Sequence, residues 1–189
     1  MSIMKQKKVK TKICLIGEKA VGKTSLIRRY VMDMFDDRYI TTIGTKVSKK
    51  EVIVRKPEHG LEAKIDMTIW DIMGEKGFRE LLKEAYFYGA NGILAVADVT
   101  REKTLNDLDD WIDSTMKIAG KVPLLIAINK MDLDEAVEVG DKQVAQLARA
   151  FNCPYIYTSA KTSDNVDEAF HQLGGMTIDA QLGFVKPEE

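Results

Sequence analysis

Gly17-Glu18-Lys19-Ala20-Val21-Gly22-Lys23-Thr24 follows the pattern G-x-x-x-x-G-K-[ST], a loop whose backbone cradles phosphate. Its neighbours supply the context that the pattern needs. Lys12 to Ile16 is a short apolar run and reads as a buried strand. Thr24 to Met34 carries Leu26, Ile27, Tyr30, Val31 and Met34 at helical spacing. A strand, a glycine-rich turn and a helix in that order aim backbone N–H groups and the positive end of the helix at phosphate oxygens. Gly17, Lys19, Ala20, Val21, Gly22, Lys23, Thr24 and Ser25 are therefore candidate nucleotide contacts. Lys23 reaches the β- and γ-phosphates, and the Thr24 hydroxyl is a Mg²⁺ ligand.

The totals narrow the class. A chain of 189 residues is enough for one well-cored domain. With 45% apolar and 30% charged residues it has a globular composition. A net charge of −1 argues against nucleic acid as a partner held by bulk charge. Cys14 and Cys153 lie in or beside apolar runs and read as small core residues, without disulfide or metal spacing. No apolar run approaches the ~18 residues of a membrane span. The expected location is cytoplasmic and the expected state a monomer.

Apolar runs and helical patterns then alternate. Thr45–Arg55 and Leu61–Trp70 read as strands joined by Lys56-Pro57-Glu58-His59-Gly60, a connection too short for a parallel crossover. Phe78–Tyr88, Glu102–Ala119, Asp141–Phe151 and Asn165–Leu173 read as helices, the second with Thr100 as N-cap. Gly92–Asp98, Val122–Asn129 and Pro154–Thr158 read as buried strands. The implied fold is α/β, a six-stranded, mostly parallel sheet with helices on both faces. Five strands are parallel, and the hairpin supplies one antiparallel edge strand. Residues 1–11 are expected as a basic flexible arm, 12–175 as the domain and 176–189 as a tail, with Gly174-Gly175 breaking the last helix.

Three more motifs fall at strand ends, where such sheets bind ligands. Asp71-Ile72-Met73-Gly74 is D-x-x-G, in which the aspartate holds Mg²⁺ and the glycine N–H meets a γ-phosphate. Asn129-Lys130-Met131-Asp132 is N-K-x-D, whose Asp132 carboxylate accepts from the N1–H and 2-amino group of guanine. Adenine has neither donor and would leave the charge unpaired, so an ATP-using enzyme is the weaker reading. Ser159-Ala160-Lys161 presents backbone to guanine O6.

Together these motifs resemble the Ras superfamily of small GTPases, and within it the Rab-like branch. The resemblance covers Lys12 to Leu173 and includes Tyr39–Gly44, Ile69–Asp71, Tyr88–Gly92 and Asp98–Thr100. It implies the P-loop NTPase fold of the small G domain, Mg²⁺ as cofactor and GTP/GDP as ligand. It places Phe35 on the guanine, Tyr39 over the phosphates and Thr42, rather than Thr41, on Mg²⁺ and the γ-phosphate. Segments 36–45 and 73–84 correspond to switches that bind effector and regulatory proteins.

Three positions depart from the family. Glu75 stands where a glutamine orients water, Lys19 where a small residue is usual, and Met73 before the D-x-x-G glycine. An ionised glutamate only accepts, and its charge faces a negative phosphate. Lys19 either obstructs an arginine finger or supplies positive charge in cis, pairing with Glu75. The expectation is a GTP/GDP switch with slow hydrolysis, with Glu75, Lys23, Lys19 and Gly74 as catalytic candidates and Thr24, Thr42 and Asp71 as metal ligands. The alternative is a pseudo-GTPase, a nucleotide-stabilised binding module with little turnover. Gly183–Glu189 holds no cysteine and Ser2 follows Met1, so neither prenylation nor N-myristoylation is expected.

Overall fold

The computed structural model describes residues 4–38, 41–74 and 76–184, with the side chains of 76 and 78–82 left aside. The described elements run β1 (Lys5–Ile16), α1 (Lys23–Met32), β2 (Thr45–Lys56), β3 (Leu61–Ile72), α2 (Lys76–Phe87), β4 (Gly92–Asp98), α3 (Glu102–Asn106), α4 (Leu108–Ala119), β5 (Leu124–Asn129), α5 (Asp141–Ala150), β6 (Tyr155–Tyr157) and α6 (Val166–Leu182). They build one six-stranded sheet of order β2-β3-β1-β4-β5-β6. β2 is antiparallel to β3 and every other neighbouring pair is parallel.

The burial pattern explains why helices cover both sides of the centre. All seven residues of β4 and all six of β5 are buried, so each strand needs an apolar layer on either face. Tyr30 of α1 and Phe170, Leu173 and Ile178 of α6 form one layer with Ile65 and Met67. Phe87, Leu105, Trp111, Ile112 and Val144 form the other. β3 instead alternates. Ala63, Ile65, Met67 and Ile69 are buried, while Lys64 between them is exposed, so away from the centre the sheet is covered on one face only.

Four local expectations differ from what is found. β1 begins at Lys5 and pairs with β3 from the Lys5–Leu61 rung onward, so most of the stretch expected as an arm is strand. Its register is held because Val9 and Thr11 turn inward toward α6, where Gln181 donates to the Thr11 hydroxyl at 3.1 Å. α6 runs through Gly174-Gly175 to Leu182. Each mid-helix glycine costs about 1 kcal/mol. That cost is met by close packing: a Cβ on Gly174 would lie 3.3 Å from Met67 Cε, and Thr177 and Ile178 beyond it are buried. Lys56 also donates to Asp179 at 2.7 Å, tying the last turns to β2. The helical run after Thr100 is split at Asp107, and its N-cap is Arg101. The Thr100 hydroxyl donates to Asp98 instead, at 2.7 Å. β5 starts two residues later than expected, because Pro123 has no N–H to give a ladder. Cys14 is fully buried, and burial pushes its thiol up to about 12.

Candidate nucleotide site

The carboxyl ends of β1, β3, β5 and β6 and the start of α1 surround a cavity of about 400 Å³. Lys19, Ala20, Gly22, Lys23, Thr24, Ser25, Phe35, Thr42, Gly74, Asn129, Lys130, Asp132, Ala160 and Lys161 all line it, as do Thr41 and Met73. Gly17, Val21, Ser159 and Asp71 stand behind the wall and act through neighbours. Tyr39 and Glu75 lie outside the described residues.

At the phosphate end, Lys23 is 6% exposed and donates to the Gly17 carbonyl at 2.6 Å and the Glu18 carbonyl at 2.8 Å. Burial lowers its ammonium to about 8, against the pull of Asp71 and Glu18. The Thr24 hydroxyl donates to Asp71 Oδ2 at 2.5 Å and lies 2.9 Å from the Thr42 hydroxyl. Thr42 is itself 3.5 Å from the same carboxylate oxygen. Asp71 Oδ1 is buried without a hydrogen-bond partner among the described residues. Burial raises the Asp71 carboxyl, and hydrogen bonds from Thr24 and Thr42 and the Lys23 charge oppose that rise. Three hard oxygen groups, one with an orphaned oxygen, converge here. That donor set fits Mg²⁺, which takes one or two protein oxygens and completes its shell from phosphates and water. Gly74 is packed onto the loop itself: a Cβ there would lie 2.5 Å from Lys19 N and 2.6 Å from Glu18 C. Lys19 is exposed at the rim.

The opposite end is built from hydrogen bonds within the chain. Asn129 donates to the Val21 carbonyl at 3.0 Å and accepts from the Thr158 hydroxyl at 3.1 Å and the Ala160 N–H at 3.2 Å. It thereby latches the phosphate loop to the 159–161 loop. Gly22 makes the latch possible, because a Cβ there would lie 2.2 Å from the Asn129 amide nitrogen. Asp132 accepts from the Ser159 hydroxyl at 2.6 Å, which fixes one carboxylate oxygen and leaves the other its acceptor capacity. Phe35 packs against the core from one side while lining the cavity from the other.

Sequence reasoning missed a set of braces. Arg29 of α1 donates to the Ala160 and Lys161 carbonyls, both at 2.9 Å. Asp98, 1% exposed at the end of β4, accepts from Lys130 at 2.6 Å and from Arg101 at 2.9 Å. Burial alone would raise its carboxyl, but the hydrogen bonds from Lys130, Thr100 and Arg101 outweigh it and hold the carboxyl low. Arg101 also donates to the Lys19 carbonyl at 3.1 Å, and the Trp111 indole donates to Glu18 at 3.1 Å. One signal pointed to Asp98: a carboxylate closing an otherwise apolar strand must have partners. Nothing in the sequence marked Arg29.

The sequence profile of the Ras family matches residues 12–178. The chain belongs to the Ras family. Its relatives lie in the Rab-like branch. It is 38% identical over 163 residues to the Ras-related protein Rab-13 of Canis lupus familiaris, covering 86% of this chain and 77% of the relative. It is 37% identical to the Ras-related protein SEC4 of Saccharomyces cerevisiae, covering 86% and 72%. It is 34% identical to the Ras-related protein Rab-7a of Dictyostelium discoideum, covering 96% and 89%. The Ras family is one of GTPases, and this member is a small GTP-binding regulatory protein. Among the described residues, no helix is long and apolar enough to cross a membrane.

Proposed function

We propose that this chain is a GTP/GDP molecular switch with slow intrinsic hydrolysis. The convergence of Thr24, Thr42 and Asp71 beneath the phosphate loop carries the reading. Thr24 belongs to α1, Asp71 to β3, and Thr42 to the segment before β2. Thr24, Thr42 and Asp71 would hold Mg²⁺, and Thr42 lies in the 41–45 segment, so a γ-phosphate engaging the same site would order that segment and its loss would free it. Thr42 is the residue within reach, in keeping with the register that the family resemblance assigns. Mg²⁺ bound there neutralises charge on the phosphates. Lys23 binds the β- and γ-phosphates after leaving the Gly17 and Glu18 carbonyls, and the Gly74 N–H meets the γ-phosphate. Asp132 reads the guanine edge, Phe35 stacks on its face, and Ala160 and Lys161 offer backbone to O6. Effector and regulatory proteins meet the segments around 36–45 and 73–84.

Slow turnover follows from the water-orienting position. Glu75 accepts but does not donate, and it brings negative charge toward the γ-phosphate. Single-turnover hydrolysis of Mg²⁺-GTP by the wild type, Glu75→Gln and Lys19→Gly tests this. The expected result is a slow wild type, at least about tenfold faster in Glu75→Gln, with GTP affinity unchanged. A wild type that either substitution slows sharply would make Glu75 and Lys19 a working catalytic pair. A wild type with tight binding and no measurable turnover would favour a nucleotide-stabilised binding module.

A further inference from the structure

The two edges of β1 are not used equally. β1 pairs with β3 from Lys5 to Leu15, but with β4 only from Ile13 to Ile16. β4 starts at Gly92, so the other edge of Lys5–Lys12 has no neighbouring strand among the described residues. Asn91 closes the last free rung. Its N–H donates to the Lys12 carbonyl at 2.8 Å, and its side-chain oxygen accepts from the Lys12 N–H at 2.7 Å. Strand alternation then fixes the rest. Lys5 and Thr11 use their backbone toward β3, with Lys5 N–H on Gly60 and the Thr11 carbonyl on the Thr68 hydroxyl. Lys12 faces the open side, and Gln6, Lys8 and Lys10 share its parity. Their N–H and C=O groups point outward along a segment of about 17 Å, with no hydrogen-bond partner among the described residues. Such an edge is a template for an added strand.

Charge decides what that strand is. The uncovered sheet face beside the edge has three acids, and each is taken. Asp66 pairs with Lys8 at 3.2 Å, Glu51 with Lys64 at 2.7 Å and Glu62 with Arg55 at 2.8 Å. Lys5, Lys7, Lys10 and Lys49 are exposed and have no acidic partner among the described residues. Lys12 lies over the Trp70 ring at 4.0 Å and donates to the Tyr88 carbonyl. An added strand therefore meets lysines on both of its flanks. A second copy of this edge would set lysine against lysine in either direction, which is repulsive. We propose that the free edge of β1 from Gln6 to Lys10 docks an extended acidic peptide segment of a partner protein, which joins the sheet as a further strand. The position is remote from the cavity, so docking is expected in both nucleotide states.

The test is fluorescence anisotropy of the full GDP-loaded chain with a labelled alternating threonine–glutamate decapeptide, and with the same peptide carrying a central proline. The wild type binds the first, and the proline peptide binds at least about tenfold more weakly because it lacks a ladder donor. Lys10→Pro removes an outward N–H without touching the β3 ladder and should weaken binding by a similar factor. The paired substitution Lys8→Glu with Lys10→Glu should abolish binding, while Lys49→Glu, off the edge, should change it less than about threefold. Retained GDP binding in each variant shows that the fold is intact. Equal binding of both peptides would show bulk charge alone and overturn strand docking. Absence of binding would overturn it too, as would a concentration-dependent dimer in sedimentation that Lys10→Pro dissolves.

Discussion

The two ends of the nucleotide cavity are finished to different degrees. At the Asp132 end the polar groups already have partners within the chain: Asn129 bridges Val21, Thr158 and Ala160, Ser159 fixes Asp132, and Arg29 holds two loop carbonyls. At the Asp71 end a buried carboxylate oxygen has no partner among the described residues, Lys23 rests on backbone carbonyls, and Lys19 is exposed. A site with fixed dipoles needs little reorganisation when its ligand arrives, so in the proposed function the first end would supply affinity and base choice. The second end would be completed by the ligand, so in the proposed function its geometry would respond to how many phosphates are bound.

Breaking the preformed end should cost most. Asp132→Asn removes the charged double acceptor while keeping the shape. GDP affinity should fall at least about a hundredfold, toward that for ADP, in a fluorescent-nucleotide titration. A loss under about fivefold would mean that Asp132 does not read the base. A perturbation of the other end should separate binding from chemistry. Gly74→Ala places a methyl 2.5 Å from Lys19 N and must push the chain after β3 off the phosphate loop. GDP affinity should stay within about twofold while single-turnover GTP hydrolysis drops about tenfold. Equal losses in both would make the two ends one unit.

The smallest effect concerns the Lys23 proton. Burial lowers the folded Lys23 ammonium to about 8, against the ordinary 10.5 of an unfolded lysine. Between those values the unfolded chain holds the extra proton, so this residue's contribution to stability rises with pH across that window. Phosphate restores the charged form, so nucleotide binding takes up a proton. GDP affinity should fall about twofold from pH 7 to 8, and calorimetry in buffers of different ionisation enthalpy should show the uptake. Affinity flat across this range would mean that the ammonium stays charged when the site is empty of phosphate.

Short-range patterns were readable wherever one segment both forms the element and carries the signal. The loop at Gly17–Thr24, the motifs at Asp71 and Asn129, and the β2–β3 hairpin are all of this kind. Patterns at the domain's margins were not. Lysines at 5, 7, 8, 10 and 12 look like a solvated arm, because sequence shows the β3 run from Leu61 but not the register that sets Lys5 opposite Leu61. The glycines at 174 and 175 look like a break until Met67 and Ile65 are seen packed against Gly174.

The sequence by itself determined the family, the sheet and the ligand class, because phosphate and guanine recognition depend on short runs fixed by backbone geometry. Only the tertiary structure decided how those runs are held together. Arg29 reaches Ala160 across 131 positions of chain, and Asp98 joins Lys130 to Arg101, whose other end grips Lys19. It also decided that β1 outruns β4 and leaves one edge without a neighbouring strand among the described residues. Such contacts depend on where distant segments meet, and hydrophobic periodicity carries the face of each element but not its neighbour.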